Sequence, residues 1–294
     1  MPVVKHPFYV YLFPLSAVLI WAINMVVTRY AVDFISPISI SFYRWLIAWL
    51  LLSPFFIFAV YQQRNTLKPY VLKLFVLSAF GMVCYQGLAY SAAHYTTATN
   101  MGIINAFIPI FSIFLSLWIL NVRPNRQVWI GVILSILGLS YLMGRGDFSQ
   151  LLVIDHLIGD LLMLIAVGLY AFYGVYLQKW KLPLPLGLML YVQISFAVLL
   201  HLPLVAYWGL DTLNTSNLAP VLYAALLPSI VAPFVWMIAI QKIGANRSSI
   251  FINLAPIFTA IIAYWILGEA WTQYHTIGGI LVLVGILLTQ RKST

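Results

Sequence analysis

Polar and aromatic side chains recur near the centres of the long apolar segments of this sequence, where they are costly unless they face each other or a ligand. Trp21 and Asn24 are three residues apart, and Gln86 and Tyr90 are four apart, so each pair shares a helix face. The residues that we predict to line a binding cavity are Trp21, Asn24, Arg44, Tyr85, Gln86, Tyr90, Asn105, Tyr170, Tyr173, Trp236 and Asn253. Aromatic walls with neutral hydrogen-bonding groups suit an amphiphilic ligand.

Arg44 is the candidate with the most specific chemistry. It lies about seven residues into its apolar segment, or roughly 10 Å deep in a helix that rises ~1.5 Å per residue. Its fork of N–H donors suits bidentate binding of a carboxylate or phosphate. Two structural alternatives are an ion pair with Asp33 or Asp160 and extension of the side chain to the end of the segment.

For other candidate residues, too, a structural role is an alternative to ligand binding. Asn105 and Asn253 could join helices by hydrogen bonds, and Tyr90 or Trp21 could belong to an aromatic belt at a membrane surface. Asp160 and Glu269 are candidates for coupling or gating, although a contact at a helix end would also explain Glu269.

The composition excludes a water-soluble protein. Of the 294 residues 63% are hydrophobic and 7% are charged, with a mean hydropathy of +1.00, whereas soluble domains carry about 25% charged residues. This excludes a cytosolic enzyme, a secreted domain, a disordered chain and a nucleic-acid-binding protein. The single cysteine, Cys84, excludes an intrachain disulfide and a cysteine-rich metal site, and we expect neither a metal nor a cofactor.

Ten segments are apolar over about the 20 residues that a membrane helix requires. The sequence therefore predicts an all-α membrane protein with ten transmembrane helices. The predicted helices are 8–31, 37–61, 70–92, 97–120, 126–144, 158–178, 184–208, 218–241, 247–267 and 272–290.

The charges between these segments predict the orientation. When the loops are assigned alternately to two sides, twelve of the fifteen Lys and Arg residues fall on one side, and all six Asp and Glu residues fall on or near the other. Because basic loops stay in the cytoplasm, both termini are predicted to be cytoplasmic. The predicted location is the inner (plasma) membrane, where lipid is the surrounding partner.

The sequence repeats itself after 147 residues. With this shift, Ala98–Leu139 lies over Ala245–Ile286 without a gap and shares thirteen identities in forty-two positions, among them Pro, Trp and two Gly residues. The shift moves each segment by five spans, and five is odd, so the copies should run in opposite directions. We therefore predict two inverted five-helix repeats, residues 1–147 and 148–294. Inverted repeats are typical of secondary transporters, whose substrate site lies near the midplane between the halves.

The repeated segments carry motifs that resemble the drug/metabolite transporter superfamily, in its branch with two EamA-type halves. The resemblance covers nearly the whole chain. It includes Arg44-Trp45 within the stretch FYRWLIA, Pro109, Pro256 and Leu267-Gly268-Glu269. The first half departs from the pattern at Asn121-Val122, where Gly-Glu is expected. The resemblance implies export or exchange of small metabolites such as amino acids, nucleosides or drugs.

The sequence thus predicts a secondary transporter that exports or exchanges amino acids or similar amphiphilic zwitterions by alternating access. No Asp or Glu lies near the centre of any span, so we expect exchange or facilitated transport without tight proton coupling. A monomer is compatible with the sequence. The alternatives are an exchanger of phosphorylated or nucleotide-type metabolites, for which more embedded cations are expected, and an intramembrane enzyme, for which no cluster of reactive residues is found.

Overall fold

A computed structural model describes residues 7–121, 124–152, 154–243, 248 and 251–290 of the chain. Within these ranges the regular secondary structure is helical, as the composition predicts. Eight helical segments are long and apolar enough to cross a membrane, and two further apolar helices, near the C-terminal end, are shorter. The count of ten spans and the orientation of the termini stay predictions.

The helices follow the predicted segments closely. We number them α1 (Leu12–Ala31), α2 (Pro37–Gln62), α3 (Arg64–Ala92), α4 (Ala98–Ile119), α5 (Arg126–Met143), α6 (Ile154–Trp180), α7 (Leu186–Trp208), α8 (Leu218–Ile243), α9 (Ala255–Leu267) and α10 (Gln273–Gln290). The main difference is that α3 begins at Arg64 rather than at residue 70. The predicted start of the ninth span, at residue 247, lies outside the described residues.

Polar residues in the short connections set where several helices begin. Ser36 accepts a hydrogen bond from the backbone N–H of Ser39 and is followed by Pro37 in the first turn of α2. Thr97 and Asn125 cap α4 and α5 in the same way. Such caps satisfy N–H groups that have no partner within the helix, and Pro is tolerated in the first turn because its missing N–H is not needed there.

Irregular turns within the helices recur at the predicted shift of 147 residues. α3 contains a π-helical stretch at Ala79–Cys84, and α8 contains one at Leu227–Val231. α4 is broken by turns at Ala106 and Phe107, and turns at residues 253–254 precede α9. The proline that follows each break, at positions 109 and 256, lies in the first turn of the new helix. The helices of both halves are therefore interrupted at equivalent points.

α5 and α10 pack against each other in opposite directions through pairs of glycines. A Cβ atom placed on Gly138 would lie 2.7 Å from the carbonyl oxygen of Gly278, and one on Gly285 would lie 2.5 Å from that of Gly131. Since the residue numbers rise along one helix as they fall along the other, the two helices are antiparallel. The shift of 147 places α5 on α10, so this contact shows that equivalent helices of the two repeats run in opposite directions.

Large apolar side chains cover much of the exposed surface. Trp118 is 81% exposed, and its repeat equivalent Trp265 is 79% exposed. A surface of this kind suits contact with lipid rather than with water. We name the two ends of the helical bundle after their loops. The acidic end carries Asp33, Asp147, Asp211 and Glu269, and the basic end carries Arg64, Lys68 and Lys181.

Candidate functional site

Arg44 is buried inside the bundle and is held by two neutral hydroxyl groups. Its side chain is only 3% exposed. Its Nε donates to Ser229 Oγ at 2.6 Å, and its Nη1 donates to Tyr90 OH at 3.3 Å. The guanidinium carbon also lies 5.0 Å from the centre of the Trp45 ring. Burial at this level excludes extension of the side chain to a membrane surface.

The structure also separates Arg44 from its two predicted ion-pair partners. The carboxylate of Asp160 instead accepts hydrogen bonds from Asn100 and Thr96, and Asp33 is exposed. In the part of the chain that the structure describes, no carboxylate lies within ion-pairing distance of Arg44. Among the described residues, its positive charge is therefore stabilised by two hydroxyl groups and by the face of the Trp45 ring.

The π-helical stretch Leu227–Val231 of α8 positions the serine that holds Arg44. Ser229 donates its own proton to Ala224 O at 2.7 Å, five residues earlier, so its oxygen is free to accept from the arginine. A π turn also leaves a carbonyl without its usual partner. The indole N–H of Trp21 donates to the carbonyl oxygen of Pro228, within this turn, at 3.4 Å.

The equivalent π-helical stretch of α3 has a similar arrangement. The indole N–H of Trp45 donates to Met82 O at 3.3 Å. In each π turn, a carbonyl oxygen thus accepts a hydrogen bond from a tryptophan of the first repeat. Trp21 also packs against Trp236, with ring centroids 5.5 Å apart, which brings α1 and α8 together beside Arg44.

A second aromatic group joins α3, α4 and α6. Tyr85 donates from its hydroxyl to Asn105 Oδ1 at 2.9 Å. Its ring lies 4.8 Å from that of Tyr170, which lies 5.4 Å from that of Tyr173. Gly81 permits this packing, since a Cβ atom there would lie 2.6 Å from the Tyr173 ring. The group is therefore built from both repeats.

The two groups are connected through α3. Tyr90, which accepts a hydrogen bond from Arg44, lies on the same helix as Tyr85, five residues later. Most of the predicted cavity residues therefore fall into two groups joined by α3, one around Arg44 and the other around Tyr85.

Asn24 presents an oxygen without a partner to the same region. The residue is 6% exposed, and its Oδ1 atom has no hydrogen-bond partner among the described residues. It shares a helix face with Trp21, which contacts Pro228, and with Thr28, which lines a narrow crevice, without room for a water molecule, together with Tyr90. A buried acceptor without a donor costs roughly 1–3 kcal/mol, so a ligand that donates to Asn24 would gain this energy.

Two predicted residues are less closely connected to the site. Gln86 is buried on α3 one turn before Tyr90, but among the described residues the hydrogen bonds of Arg44 go to Ser229 and Tyr90 rather than to Gln86. Asn253 lies at the break before α9, and its Nδ2 atom has no partner among the described residues. Their roles as ligand contacts stay predictions.

The two acidic residues that we predicted to take part in gating lie at the acidic end and tie the repeats together. Glu269 accepts from the backbone N–H groups of Ala98 and Thr99 at 2.7 and 3.0 Å, and from the Thr99 hydroxyl at 2.7 Å. Asp160 accepts from the amide group of Asn100 at 3.3 and 3.4 Å. We call this cluster the acidic-end latch, which comprises Thr96, Ala98, Thr99, Asn100, Asp160, Glu269 and His275.

Ser229 and His275 belong to these contacts but were not among the residues predicted from the sequence. The Nδ1 atom of His275 accepts from the backbone N–H of Thr272 at 3.1 Å, so Nε2 carries the proton and donates to Asn100 Oδ1 at 3.2 Å. The histidine is therefore neutral in this arrangement. For Ser229 the sequence offered no signal, because the shift of 147 aligns it with Met82 and the π turns at both positions are seen only in the structure. Among the described residues no three His, Cys, Asp or Glu side chains group closely enough to hold a metal ion.

Comparison with known proteins supports a transporter architecture. The profile of the EamA-like transporter family matches the chain twice, at residues 8–144 and 157–291. An uncharacterized transporter of Archaeoglobus fulgidus is 28% identical over 281 residues, which cover 93% of this chain and 94% of that protein. The uncharacterized transporter YyaM of Bacillus subtilis is 24% identical over 265 residues, 88% of this chain and 86% of its own.

A solved crystal structure has the same fold. It aligns with a TM-score of 0.63 at 15% sequence identity and covers 96% of both chains. At this identity the likeness concerns the fold alone. The two profile matches agree with the repeat seen in the helix irregularities, while the boundary at residue 147 stays a prediction.

Proposed function

Since the chain belongs to the EamA-like transporter family, we propose that it is a secondary transporter that exports or exchanges a small amphiphilic metabolite by alternating access. Amino acids and similar zwitterions are the substrates that the site suits best. The protein is a multi-pass membrane protein, and the charge pattern favours the cytoplasmic (inner) membrane with both termini inside.

The observation that carries the substrate class is the unpaired charge of Arg44. Its hydrogen-bond partners are the neutral Ser229 and Tyr90. A buried charge without a counter-ion is costly, so a substrate that brings a carboxylate stabilises the occupied site. Nε and Nη1 are already engaged, which leaves the remaining guanidinium N–H groups to donate to the two oxygens of one anionic group.

The rest of the site suits the other parts of a zwitterion. The free Oδ1 atom of Asn24 can accept from an ammonium group. The rings of Trp21 and Trp236 on one side, and of Tyr85 and Tyr170 on the other, offer apolar surface to an aromatic or aliphatic side chain. A phosphorylated metabolite fits less well because Arg44 is the one basic residue deep within a predicted span.

The repeat supports alternating access. Both halves contribute to the site, and both contain a π turn and a helix break at equivalent positions. Inverted halves of this kind can exchange conformations, so a state open at one end implies a related state open at the other.

Counterflow in proteoliposomes tests the proposal. Vesicles are preloaded with single unlabelled amino acids, nucleosides, amines or sugar phosphates, and entry of the labelled compound is followed with and without a pH gradient. We expect saturable exchange of an amino acid that does not respond to the gradient. Exchange of phosphorylated compounds alone would reject the substrate class, and uphill uptake driven by the pH gradient alone would reject uncoupled transport.

An arginine variant connects the result to the site. Arg44→Gln removes the charge, and we expect its exchange rate to fall by at least about tenfold, in keeping with the loss of a hydrogen-bonded charge pair. Arg64→Gln removes an arginine at the basic end, where Arg64 stacks on Tyr61, and should leave exchange unchanged. Equal exchange by Arg44→Gln and the wild type would contradict the assignment.

A further inference from the structure

The contacts of the acidic-end latch all join the first repeat to the second. Glu269, from the second repeat, receives three hydrogen bonds from the first two residues of α4. The first N–H groups of a helix lack partners within it, and the helix dipole places positive charge there. A carboxylate at this position is therefore stabilised twice, by direct donors and by the dipole.

A second tie lies beside the first. Asp160 of α6 accepts from Asn100 of α4, and the same asparagine accepts from His275 of α10 at 3.2 Å. Asn100, Asp160 and His275 are each at most 7% exposed. α4 is thus held to three segments of the second repeat at one end of the bundle.

The repeat does not reproduce this chemistry at the other end. The shift of 147 places Val122 at the position of Glu269, Phe13 at that of Asp160 and Val128 at that of His275. Val122 lies outside the described residues, so for this position the comparison concerns residue type alone. Since all six Asp and Glu residues are predicted from the sequence to lie on or near the acidic end, we expect no acidic side chain at the basic end with which to form an equivalent latch.

We propose that this one-sided latch makes the two access states of the transporter unequal, so that the protein rests closed at its acidic end and opens that end as its slow step. The proposal rests on the alternating access proposed above. Two equivalent repeats alone would give two states of similar energy, whereas charged hydrogen bonds that form in one state only shift the population toward it. With the predicted orientation, the resting site faces the cytoplasm, as loading for export requires.

The opening of the acidic end can be measured directly as a distance. Tyr95, between α3 and α4, and Gln273, at the start of α10, are both exposed, and each lies next in the chain to a latch segment of a different repeat. Spin labels on Tyr95→Cys and Gln273→Cys, in a Cys84→Ser background, report their separation by pulsed electron paramagnetic resonance. This measurement needs no substrate, so failure of the transport assay and failure of this proposal are distinguishable.

We expect a single short distance in the protein with an intact latch. Glu269→Ala should add a longer distance and raise the open fraction relative to the closed fraction by at least about tenfold, because hydrogen bonds to a charged group are lost. Thr99→Val removes one of the three donors and should shift the population in the same direction by less. If Glu269→Ala does not fold, Thr99→Val still provides the test.

Asp147→Asn is the matched control. Asp147 carries the same charge at the same end, but its side chain bonds to Ser149 within its own loop. We expect no change in the distance distribution for this variant. A distribution that is the same with and without Glu269 would overturn the proposal, as would an equal shift caused by Asp147→Asn.

Discussion

The close glycine contacts between α5 and α10 make the stability of the protein sensitive to a single added methyl group. A methyl group added by Gly138→Ala would lie 2.7 Å from Gly278 O, 2.6 Å from Leu281 Cβ and 2.8 Å from Val282 N. Two of these atoms belong to the backbone, so they cannot turn aside as the end of a flexible side chain would. The two helices must therefore separate by several tenths of an ångström along their contact.

The expected cost follows from two opposing effects. Overpacking of a tight contact typically costs about 1–3 kcal/mol, and replacing glycine by alanine within a helix returns up to about 1 kcal/mol. We expect Gly138→Ala to destabilise the protein by roughly 1–2 kcal/mol after this offset. Gly87→Ala on α3 is the matched control, since nothing lies within 4 Å of its added Cβ, and it should be neutral or slightly stabilising.

Thermal unfolding in detergent, followed by the loss of the monodisperse peak in size-exclusion chromatography, compares the two variants. A difference of about 2 kcal/mol in a chain of this size corresponds to roughly 4–8 °C between their midpoints. If Gly138→Ala unfolds at or above the wild-type temperature, the close antiparallel approach of α5 and α10 is refuted. A loss of stability in Gly87→Ala as large as that in Gly138→Ala would refute the packing argument instead.

Three further results are expected. Ser229→Ala leaves the Nε atom of Arg44 without its acceptor at 2.6 Å and should raise the substrate KM by about tenfold or more, with rescue by Ser229→Thr; an unchanged KM in counterflow would count against this contact. The hydroxyl and the backbone N–H of Ser36 lower the pKa of Asp211 in the loop after α7. The stability from this carboxylate is therefore present above its ordinary pKa, near 4, and is lost as the pH falls through the lowered value. Asp211→Asn should remove that part of the acid dependence of unfolding, and an acid transition identical to the wild type would contradict it. Gly81→Val forces the ring of Tyr173 on α6 away from α3 and should lower the exchange rate without abolishing folding. An exchange rate equal to that of the wild type would show that this packing does not shape the site.

Part of the candidate site could be predicted from the sequence because a membrane limits where polar residues can lie. Trp21, Asn24, Arg44 and Tyr85 stand out as polar or aromatic side chains far from the ends of apolar segments, where contact with lipid is costly. The constraint predicts that these side chains face the interior of the bundle, where Arg44 and Asn24 are buried. The residue that each of these side chains contacts could not be predicted from the sequence, since spacing along one helix does not reveal which helix lies opposite.

The environment of Arg44 shows this limit most clearly. The sequence offered Asp33 and Asp160 as partners, but the three-dimensional structure pairs the arginine with Ser229 and Tyr90. Ser229 reaches Arg44 because a π turn changes the register of α8 at this point. A π turn depends on packing against neighbouring helices, and no local sequence pattern specifies it.

The sequence by itself determined the helical class, the apolar segments and the repeat of 147 residues. A chain with few charges and apolar segments of about 20 residues has few possible structures in a membrane other than a bundle of helices. The tertiary structure decided which polar groups meet. It joined Glu269 to the start of α4 across 171 positions, and it placed Arg44 among hydroxyl groups without a described carboxylate. Hydrogen bonds between distant segments depend on how whole helices pack, and this information is distributed over the entire chain rather than held in any one motif.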